Sequence, residues 1–330
     1  MAPVSTTSDR RRVVVAGGSG LIGSAVVRVL DAKGIDFLAL DRRPGPAVRL
    51  ADLAESAAWR REFDQNGRPD AILLLAGVVG VARVLADPEA ARRGTAEPLA
   101  AMLAALEGEP DAALPRIVFA SSSEVYLPAH RPLREDDPLR GISSTGRWAY
   151  AAAKVAGERA LTAARAWPNG RAPVLARFFN VVGPGQESSQ GMVLPNFVER
   201  ARAGLPLLVH GDGAQVRTFG HVDEVARVLT ELLLCDDVPG GPLNVGGVAR
   251  ATVRELAEAV TRAAGGGTIE HVDPRRAVHS TFEDVRWRVP DLHRLASLGF
   301  ELPTMDLDGI VRDVLERHEF ASLACASPAS

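Results

Sequence analysis

Short apolar runs alternate with amphipathic stretches along the first half of the chain. The apolar runs fall at residues 13–16, 37–40, 71–75, 116–120 and 174–178, and helical spacing of apolar positions marks residues 21–33, 97–106 and 148–166. Runs of this length, bounded by glycine or charged residues, are typical of strands buried on both faces of a sheet. The alternation therefore predicts an α/β fold with a doubly wound parallel sheet that carries helices on both faces.

The pattern changes after Asn180, where glycine and proline recur at short intervals. Helical spacing returns at residues 221–234, 253–264 and 306–317, and a glycine-bordered run at 241–246 predicts one more strand. We expect a first domain of residues 1–180 with about 219–248, and a smaller α/β substrate-binding lobe of about 181–218 and 249–320. Residues 321–330 lack periodicity and charge, so we expect a disordered tail there.

Composition narrows the class of ligand. Of 330 residues, 46% are hydrophobic and 24% charged, as in ordinary globular enzymes, and the net charge of -3 argues against a nucleic acid or an anionic membrane as partner. The 2 cysteines offer neither a disulfide framework nor a cysteine-built metal site, and we predict no metal site. No apolar stretch reaches the ~20 residues of a membrane helix, and the amino terminus lacks the apolar core of a secretion signal. We therefore expect a cytoplasmic protein that binds a small molecule.

A glycine-rich turn follows the first predicted strand. Gly17, Gly20 and Gly23 are spaced three apart, and Leu21 and Ile22 open the helix behind them. Such a turn needs glycine because a Cβ would keep the backbone away from a pyrophosphate, whose charge the helix amino terminus stabilises. A purely structural turn between strand and helix could show the same spacing. The strand before it, the helix after it and an acidic residue at the end of the next strand favour a dinucleotide site.

Asp41 ends the second predicted strand, where the ribose hydroxyls of a dinucleotide would lie. Its carboxylate would accept their hydrogen bonds and repel a 2′-phosphate, which favours NAD over NADP. Arg42 and Arg43 leave NADP open as the alternative, because guanidinium groups could hold that phosphate. Asp52 and Leu53 are candidates for contact with the adenine edge, although Asp52 could equally be a solvated aspartate at a helix start.

Two later positions carry hydroxyl and charged residues suited to acid–base chemistry. Tyr150 and Lys154 are four residues apart, so in a helix the phenol and the ammonium lie on one face. A lysine beside a tyrosine, with a nicotinamide nearby, would lower the pKa of the phenol from its ordinary value near ~10. Ser122, Ser123 and Glu124 follow a predicted strand at its carboxyl end, where open α/β sheets bind ligands. They predict either a helix cap or a serine that binds a substrate hydroxyl opposite Tyr150.

Together these residues resemble the extended short-chain dehydrogenase/reductase family, in particular its NAD-dependent nucleotide-sugar epimerase/dehydratase branch, which has a Rossmann-type fold. The resemblance covers about residues 13–303. Besides the glycine turn, the segments that carry it are residues 75–77, 122–126, 150–154, 177–186, 191–197, 209–219, 221–223 and 286–291. It implies an enzyme that binds NAD and a nucleoside-diphosphate sugar. It also implies a homodimer in which the helices at 97–106 and 148–166 form the interface.

The resemblance further implies roles for single residues. Ser122 and Tyr150 match the catalytic hydroxyl pair, with Ser123 and Glu124 beside them, and Lys154 matches the lysine that binds ribose. Cofactor contacts are also expected at Leu75 and Ala76, and substrate contacts at Asn180, Val193, Asn196, Val209, Arg217 and Arg288. Of these, Asn180, Arg217 and Arg288 match residues that hold the diphosphate. Leu127 stands where the family has glycine and is expected to crowd the sugar.

The reaction stays open between outcomes that share a first step, in which Tyr150 takes the C4 hydroxyl proton and a 4-keto sugar forms. We expect C4 epimerisation of a UDP-hexose or UDP-hexuronate as the leading function. Glu124 makes a nucleoside-diphosphate-sugar 4,6-dehydratase or a UDP-glucuronate decarboxylase the alternative, since a carboxylate beside C5 could remove a proton that the ketone acidifies. A non-catalytic NAD-binding scaffold on the same fold is the remaining alternative.

Overall fold

A seven-stranded parallel sheet forms the centre of the computed structural model, which describes residues 11–143, 146–168, 171–273 and 285–317. The strands are β1 (Arg12–Ala16), β2 (Asp36–Asp41), β3 (Val48–Leu50), β4 (Ala71–Leu74), β5 (Arg116–Ser122), β6 (Val174–Phe179), β7 (Val181–Val182), β8 (Leu207–His210), β9 (Val216–His221), β10 (Gly241–Gly246), β11 (Ala249–Thr252), β12 (Ile269–Val272) and β13 (Trp287–Arg288). Across the large sheet the order is β10-β6-β5-β4-β1-β2-β3, so the winding direction changes between β1 and β4. This is the doubly wound, Rossmann-type topology, and the predicted fold class is confirmed.

Helices cover both faces of this sheet. They are α1 (Leu21–Ala32), α2 (Ser56–Asn66), α3 (Val81–Ala86), α4 (Pro88–Ala105), α5 (Ala149–Ala163), α6 (Val193–Arg202), α7 (Val222–Leu234), α8 (Val253–Ala263), α9 (His293–Ser297) and α10 (Leu307–Arg317). Leu30 of α1 and Leu229 of α7 lie in the core on one face, and Trp59 of α2 and Leu99 of α4 lie in the core on the other. The central strands β1 and β4 are almost entirely apolar because both of their faces are buried.

The predicted helix at 97–106 begins earlier than expected. Its first residue is Pro88, which suits the first turn because its missing N–H would have no partner there. The Asp87 carboxylate caps the helix by accepting a hydrogen bond from the Ala90 N–H at 2.8 Å. Alanine and arginine in this first turn left no apolar periodicity for the sequence analysis to detect.

A second, smaller core lies among residues 182–315. Strands β11, β9 and β13 form a small sheet in which β7 also pairs with β9, and β12 pairs with β8. Leu194 of α6, Leu256 of α8 and Ile310 of α10 pack together against these strands. We call this part the second lobe, and its assignment as the substrate-binding lobe stays a prediction, as does the predicted tail, because residues 321–330 lie outside the described residues.

Within the part of the chain that the structure describes, no helix has both the length and the hydropathy that a bilayer crossing requires.

Candidate active site

A cavity of about 620 Å³ opens at the carboxyl ends of the parallel strands, between the large sheet and the second lobe. Parallel strands end at one edge of a sheet, so the turns that follow β1, β2, β4 and β5 meet there. The predicted site residues that line it are Gly17, Gly20, Leu21, Ile22, Gly23, Asp41, Arg42, Leu53, Leu75, Ala76, Ser122, Ser123, Glu124, Tyr150, Lys154, Asn180 and Arg288. Residues predicted from separate motifs are thus brought together in one cavity.

The glycine turn is compact enough for a pyrophosphate to approach its backbone. Gly17 has a φ of 99°, and the N–H groups of Gly17 and Gly18 donate to the Leu40 carbonyl at 2.8 and 3.1 Å. A Cβ at Gly23 would lie 2.1 Å from the Gly17 carbonyl oxygen, so α1 packs against the turn only because residue 23 is glycine. Gly20 begins α1 without a side-chain cap, which leaves the first N–H groups of the helix for a phosphate. These features fit a dinucleotide.

Asp41 is oriented by the backbone around it. Its carboxylate accepts hydrogen bonds from the N–H of Ser19 at 3.1 Å and from the N–H of Arg43 at 3.0 Å. The Ser19 hydroxyl is buried without a hydrogen-bond partner among the described residues, and Ser19 also lines the cavity. An unpartnered buried hydroxyl is costly unless a ligand completes it, so this position too fits a bound cofactor.

Asp52 does not line the cavity, in contrast to its predicted adenine contact. Its carboxylate accepts a hydrogen bond from the Ala54 N–H at 3.1 Å. This local contact agrees with the alternative interpretation of Asp52 as an aspartate at a helix start. Leu53, next to it, is buried and lines the cavity. The adenine contact of Leu53 stays a prediction, and the contact that the structure shows for Asp52 is local.

Ser122, Tyr150 and Lys154 lie together on the wall of the cavity. Ser122 ends β5, and its hydroxyl accepts a hydrogen bond from the Glu124 N–H at 3.2 Å and is also hydrogen-bonded to Tyr150. The Lys154 ammonium lies 5.6 Å from the centre of the Tyr150 ring and 5.0 Å from that of Phe119. The spacing on α5 thus places the phenol and the ammonium on one face, as predicted.

The pKa of Tyr150 depends on burial as well as on nearby charges. Burial raises the pKa of the Tyr150 phenol above its ordinary value, and the charge of Glu124 raises it further, whereas the Ser122 hydrogen bond and the Arg288 charge lower it. Burial also lowers the pKa of Lys154 to about 8. The predicted lowering of the Tyr150 pKa was conditional on a nearby nicotinamide, whose positive charge would oppose the effect of burial.

Arg288 lies at the reactive end of the cavity. Its guanidinium donates to the Glu124 carboxylate at 2.8 Å, and the side chains of both residues are largely buried. In β13 it pairs in register with Arg217 of β9, so the two arginines are neighbours on adjacent strands. The predicted diphosphate contact of Arg288 differs from this arrangement, because its guanidinium is directed to Glu124 beside Tyr150.

Comparison with known proteins agrees with the geometry of this cavity. The model of the NAD dependent epimerase/dehydratase family matches residues 13–246. The chain belongs to this family. Its members are enzymes that use NAD, so the chain is an enzyme whose cofactor is NAD.

Three similar proteins illustrate the range of activities in the family. The chain is 28% identical over 305 residues to the UDP-N-acetyl-alpha-D-glucosaminuronate decarboxylase of Bacillus cytotoxicus, covering 88% of this chain and 92% of the relative. It is 30% identical over 341 residues to the UDP-glucose 4-epimerase of Azospirillum brasilense, covering 94% and 92%. The solved UDP-glucose 4-epimerase of Thermus thermophilus in complex with NAD has a TM-score of 0.78 and 26% identity, over 94% of this chain and 99% of that chain. Relatives also include reductases and dehydratases of nucleotide sugars.

Asn180 and the predicted substrate residues Asn196, Val209 and Arg217 of the second lobe contact the protein itself. The Asn180 amide donates to the Thr218 carbonyl at 2.9 Å, and the Asn196 amide donates to the Met192 carbonyl at 2.7 Å. Val209 is fully buried in the core of the second lobe, so only its backbone could reach a ligand. Arg217 is buried, and its guanidinium donates to the Val216 carbonyl at 2.9 Å. Of these, only Asn180 lines the cavity.

The remaining second-lobe prediction and the Leu127 prediction also differ from the structure. Val193, the first residue of α6, does not line the cavity, although Met192 before it does. Leu127 is 44% exposed and lies outside the cavity lining, so the expected crowding of the sugar is not seen. Helix geometry explains why Met192 lines the cavity and Val193 does not, because neighbouring residues at a helix start point in different directions.

Sequence reasoning missed Arg83, Gln186 and Glu187, and it considered Arg43 only as a possible 2′-phosphate contact. Arg83 of α3 and Arg43 both form ion pairs with Glu187, at 2.9 and 3.7 Å, across the edge of the cavity. Gln186 is buried, lines the cavity, and its amide oxygen has no hydrogen-bond partner among the described residues. The Gly-Pro-Gly turn just before Gln186 was a usable signal, whereas single arginines carry none.

Proposed function

We propose that the enzyme oxidises C4 of a nucleoside-diphosphate sugar to a ketone, with Tyr150 as the acid/base. The observation that carries this proposal is that Ser122, Tyr150 and Lys154 line the same cavity as the glycine turn and Asp41. Tyr150 takes the proton of the C4 hydroxyl, and Ser122 orients the sugar oxygen. NAD, when bound, accepts the hydride that leaves C4 and returns it later in the cycle.

Lys154 supports the ionisation of Tyr150 and binds the cofactor ribose. Burial of the phenol opposes formation of the phenolate, so a positive charge close to Tyr150 is needed while the proton moves. The Lys154 ammonium is the cation on the same helix face, one turn away. Its three N–H donors also suit ribose hydroxyls.

C4 epimerisation, the leading expectation from the sequence, needs only these groups. The 4-keto sugar is reduced again from its other face, and no further acid or base takes part. The similar protein from Azospirillum brasilense is named as an epimerase.

The Arg288–Glu124 pair supports decarboxylation of a hexuronate, which we rank ahead of C4 epimerisation. A uronate carboxylate could replace Glu124 on Arg288 and form a charge-assisted pair. A 4-keto uronate is a β-keto acid, in which the C5–C6 bond breaks, carbon dioxide leaves and the electrons form an enolate that is then protonated at C5. We therefore prefer a nucleoside-diphosphate hexuronate as substrate, and the geometry favours its decarboxylation over its epimerisation.

Dehydration across C5 and C6 has less support. Loss of the C6 hydroxyl needs an acid that protonates the leaving oxygen. Ser123, which lies beside Glu124 and is 4% exposed, does not ionise in the working range. Glu124 itself is engaged by Arg288.

Mass spectrometry of products from a panel of nucleotide sugars tests the proposed function. With UDP-glucuronate we expect a product lighter by carbon dioxide, and Tyr150→Phe should abolish its formation. A product of unchanged mass and altered C4 stereochemistry would assign epimerisation. If no nucleoside-diphosphate sugar is converted, the proposed function is wrong.

We also propose that the enzyme is a homodimer that associates through α4 and α5. Ala96 and Ala100 on α4, and Ala156 and Ala160 on α5, are exposed. Small exposed side chains at spacings of four let helices of two copies approach closely. Sedimentation velocity should show a dimer, and Ala156→Arg should convert it to a monomer.

A further inference from the structure

Glu158 is a buried carboxylate to which the reaction proposed above assigns no role. It lies on α5 one turn after Lys154, and the two residues are 4% and 1% exposed. Its carboxylate accepts a hydrogen bond from the Ser121 hydroxyl at 2.5 Å. It also accepts two from Arg177 of β6, at 2.9 Å from Nε and 2.7 Å from Nη2. A buried carboxylate with three charge-assisted or short hydrogen bonds is fixed in place.

These bonds connect the elements that carry the proposed catalytic groups. Ser121 directly precedes Ser122 at the end of β5, and Glu158 shares α5 with Tyr150 and Lys154. The contact of Glu158 with Ser121 therefore fixes the end of β5 against α5. The relative position of Ser122 and Tyr150 follows from this contact.

Arg177 extends the network away from the cavity. Its Nη1 donates to the Tyr126 hydroxyl at 3.0 Å, and that hydroxyl donates to the Asn244 side-chain oxygen of β10 at 2.6 Å. Tyr126 thus contributes to the same network without contacting Lys154 or Glu158. This gives a matched residue whose removal disturbs the network but not the charge beside Lys154.

Aromatic rings and small residues lie close to the Lys154 ammonium. The Phe119 and Tyr150 rings face the ammonium. Gly77, which follows β4, and Thr95 of α4 are close to it as well. Burial lowers the pKa of Lys154, and the charge of Glu158 opposes this lowering. A buried cation is neutralised unless a nearby anion compensates for its lost solvation. Glu97 of α4 is a further carboxylate that lines the same cavity.

We infer that Glu158 is a positioning residue for the reaction at C4: it fixes Ser122 against Tyr150 through Ser121, and its charge keeps Lys154 an ammonium. The first role depends on geometry and the second on charge, so two substitutions separate them. Glu158→Gln keeps the shape and removes the charge. Glu158→Asp keeps the charge and withdraws it from Ser121 and Arg177. This inference rests on the proposed function for its catalytic part only.

The composition of the chain allows a direct measurement of the charge role. Lys33 and Lys154 are its only lysines, so NMR of protein labelled with ¹³C-lysine gives two side-chain signals, and Lys33→Arg assigns them. We expect Glu158→Gln to reduce the ratio of ammonium to amine at Lys154 roughly tenfold at a given pH. Glu158→Asp and Tyr126→Phe should leave that ratio within about twofold. An unchanged titration of Lys154 in folded Glu158→Gln would overturn the charge role.

Turnover measures the positioning role. We expect Glu158→Asp to reduce kcat roughly tenfold or more while the affinity for NAD changes by less than about twofold, because a small misplacement of Ser122 slows chemistry without removing a cofactor contact. Tyr126→Phe should retain most of kcat. Wild-type kcat in Glu158→Asp would overturn the positioning role.

The outcomes also separate this inference from the proposed function. If no sugar nucleotide is converted but the titration of Lys154 shifts in Glu158→Gln, the proposed function fails and the charge role stands. If turnover occurs and neither substitution changes the titration or kcat, the inference about Glu158 is wrong. If Glu158→Gln does not fold, the charge role is tested by Glu158→Gln combined with Arg177→Gln, which removes the buried pair together. In that variant the pKa of Lys154 should still fall, and an unchanged value would overturn the role.

Discussion

The two ends of the cavity are built in different ways. At the cofactor end, the glycine turn and Asp41 are held by main-chain hydrogen bonds. The sugar end consists of long charged side chains that contact each other, above all Glu124 and Arg288. The first end is shaped for its ligand before the ligand arrives, whereas the second end must exchange partners when a substrate enters.

This difference shows which contacts determine recognition at each end. A turn that lacks Cβ atoms can be occupied without rearrangement, so cofactor affinity depends on shape. Arg288 and Glu124 form a largely buried ion pair. A substrate group that displaces one of them must offer the other an equally favourable charge, so we expect substrate choice to depend on charge. The predictions below test each end in turn.

The largest effect is expected where both ends meet, at Tyr150. Tyr150→Phe removes the hydroxyl that takes the C4 proton, and kcat should fall by roughly 10²- to 10⁴-fold. The affinity for NAD should stay within about twofold, since the ring remains. Tyr126→Phe is the control, because Tyr126 is the other of the 2 tyrosines and does not line the cavity. Near-normal turnover of Tyr150→Phe would disprove the acid/base role.

At the cofactor end, two glycines should respond differently to alanine. In Gly23→Ala the new Cβ meets backbone at 2.1 Å, so we expect the free energy of unfolding to fall by roughly 1–3 kcal/mol together with NAD affinity. In Gly20→Ala the nearest atom lies at 3.4 Å, so only NAD affinity should fall. Thermal melts without NAD and binding titrations with it separate the two effects. Equal loss of stability in both variants would contradict the packing described for this turn.

At the sugar end, Glu124 and Arg288 should shift the pKa of Tyr150 in opposite directions. The charge of Glu124 raises that pKa, so Glu124→Gln should lower it, and the acidic limb of the pH–rate profile should move to lower pH. The charge of Arg288 lowers it, so Arg288→Gln should move the same limb to higher pH. Each shift should be about one pH unit or less, because the ion pair partly cancels both charges. Shifts of the same sign would contradict the arrangement.

The smallest effect on NAD affinity is expected from substitution of Asp52, which lies outside the cavity lining. Asp41→Ala should weaken NAD binding by about tenfold, as expected for a lost hydrogen bond to a charged group. Asp52→Ala should change it by less than about twofold, because Asp52 does not line the cavity. Isothermal titration calorimetry with NAD measures both. A large loss in Asp52→Ala would place the adenine differently.

The cofactor end could be predicted from the sequence because local rules determine it. The glycine spacing specifies a tight turn, and Asp41 follows from its position at the end of a strand. The predicted residues Leu75 and Ala76 lie in the same cavity for the same reason, since they follow β4.

The sugar end could not be predicted in the same way because its contacts join residues distant in the chain. Arg288 meets Glu124 across 164 positions, and no local pattern specifies that pair. Asn196 and Arg217 contact carbonyl groups close to them in the chain, which a motif match does not reveal. The pKa of Tyr150 depends on burial, a tertiary property that its spacing from Lys154 does not encode.

Rapid mixing tests the central claim most directly. NAD-loaded protein and its Tyr150→Phe variant are mixed with UDP-glucuronate, and the absorbance of reduced nicotinamide is followed with time. The account predicts a transient rise in the wild-type protein that is at least about 100-fold slower in the variant, although both bind NAD equally. Equal transients in the two proteins, or none in the wild type with any nucleoside-diphosphate sugar, would contradict it.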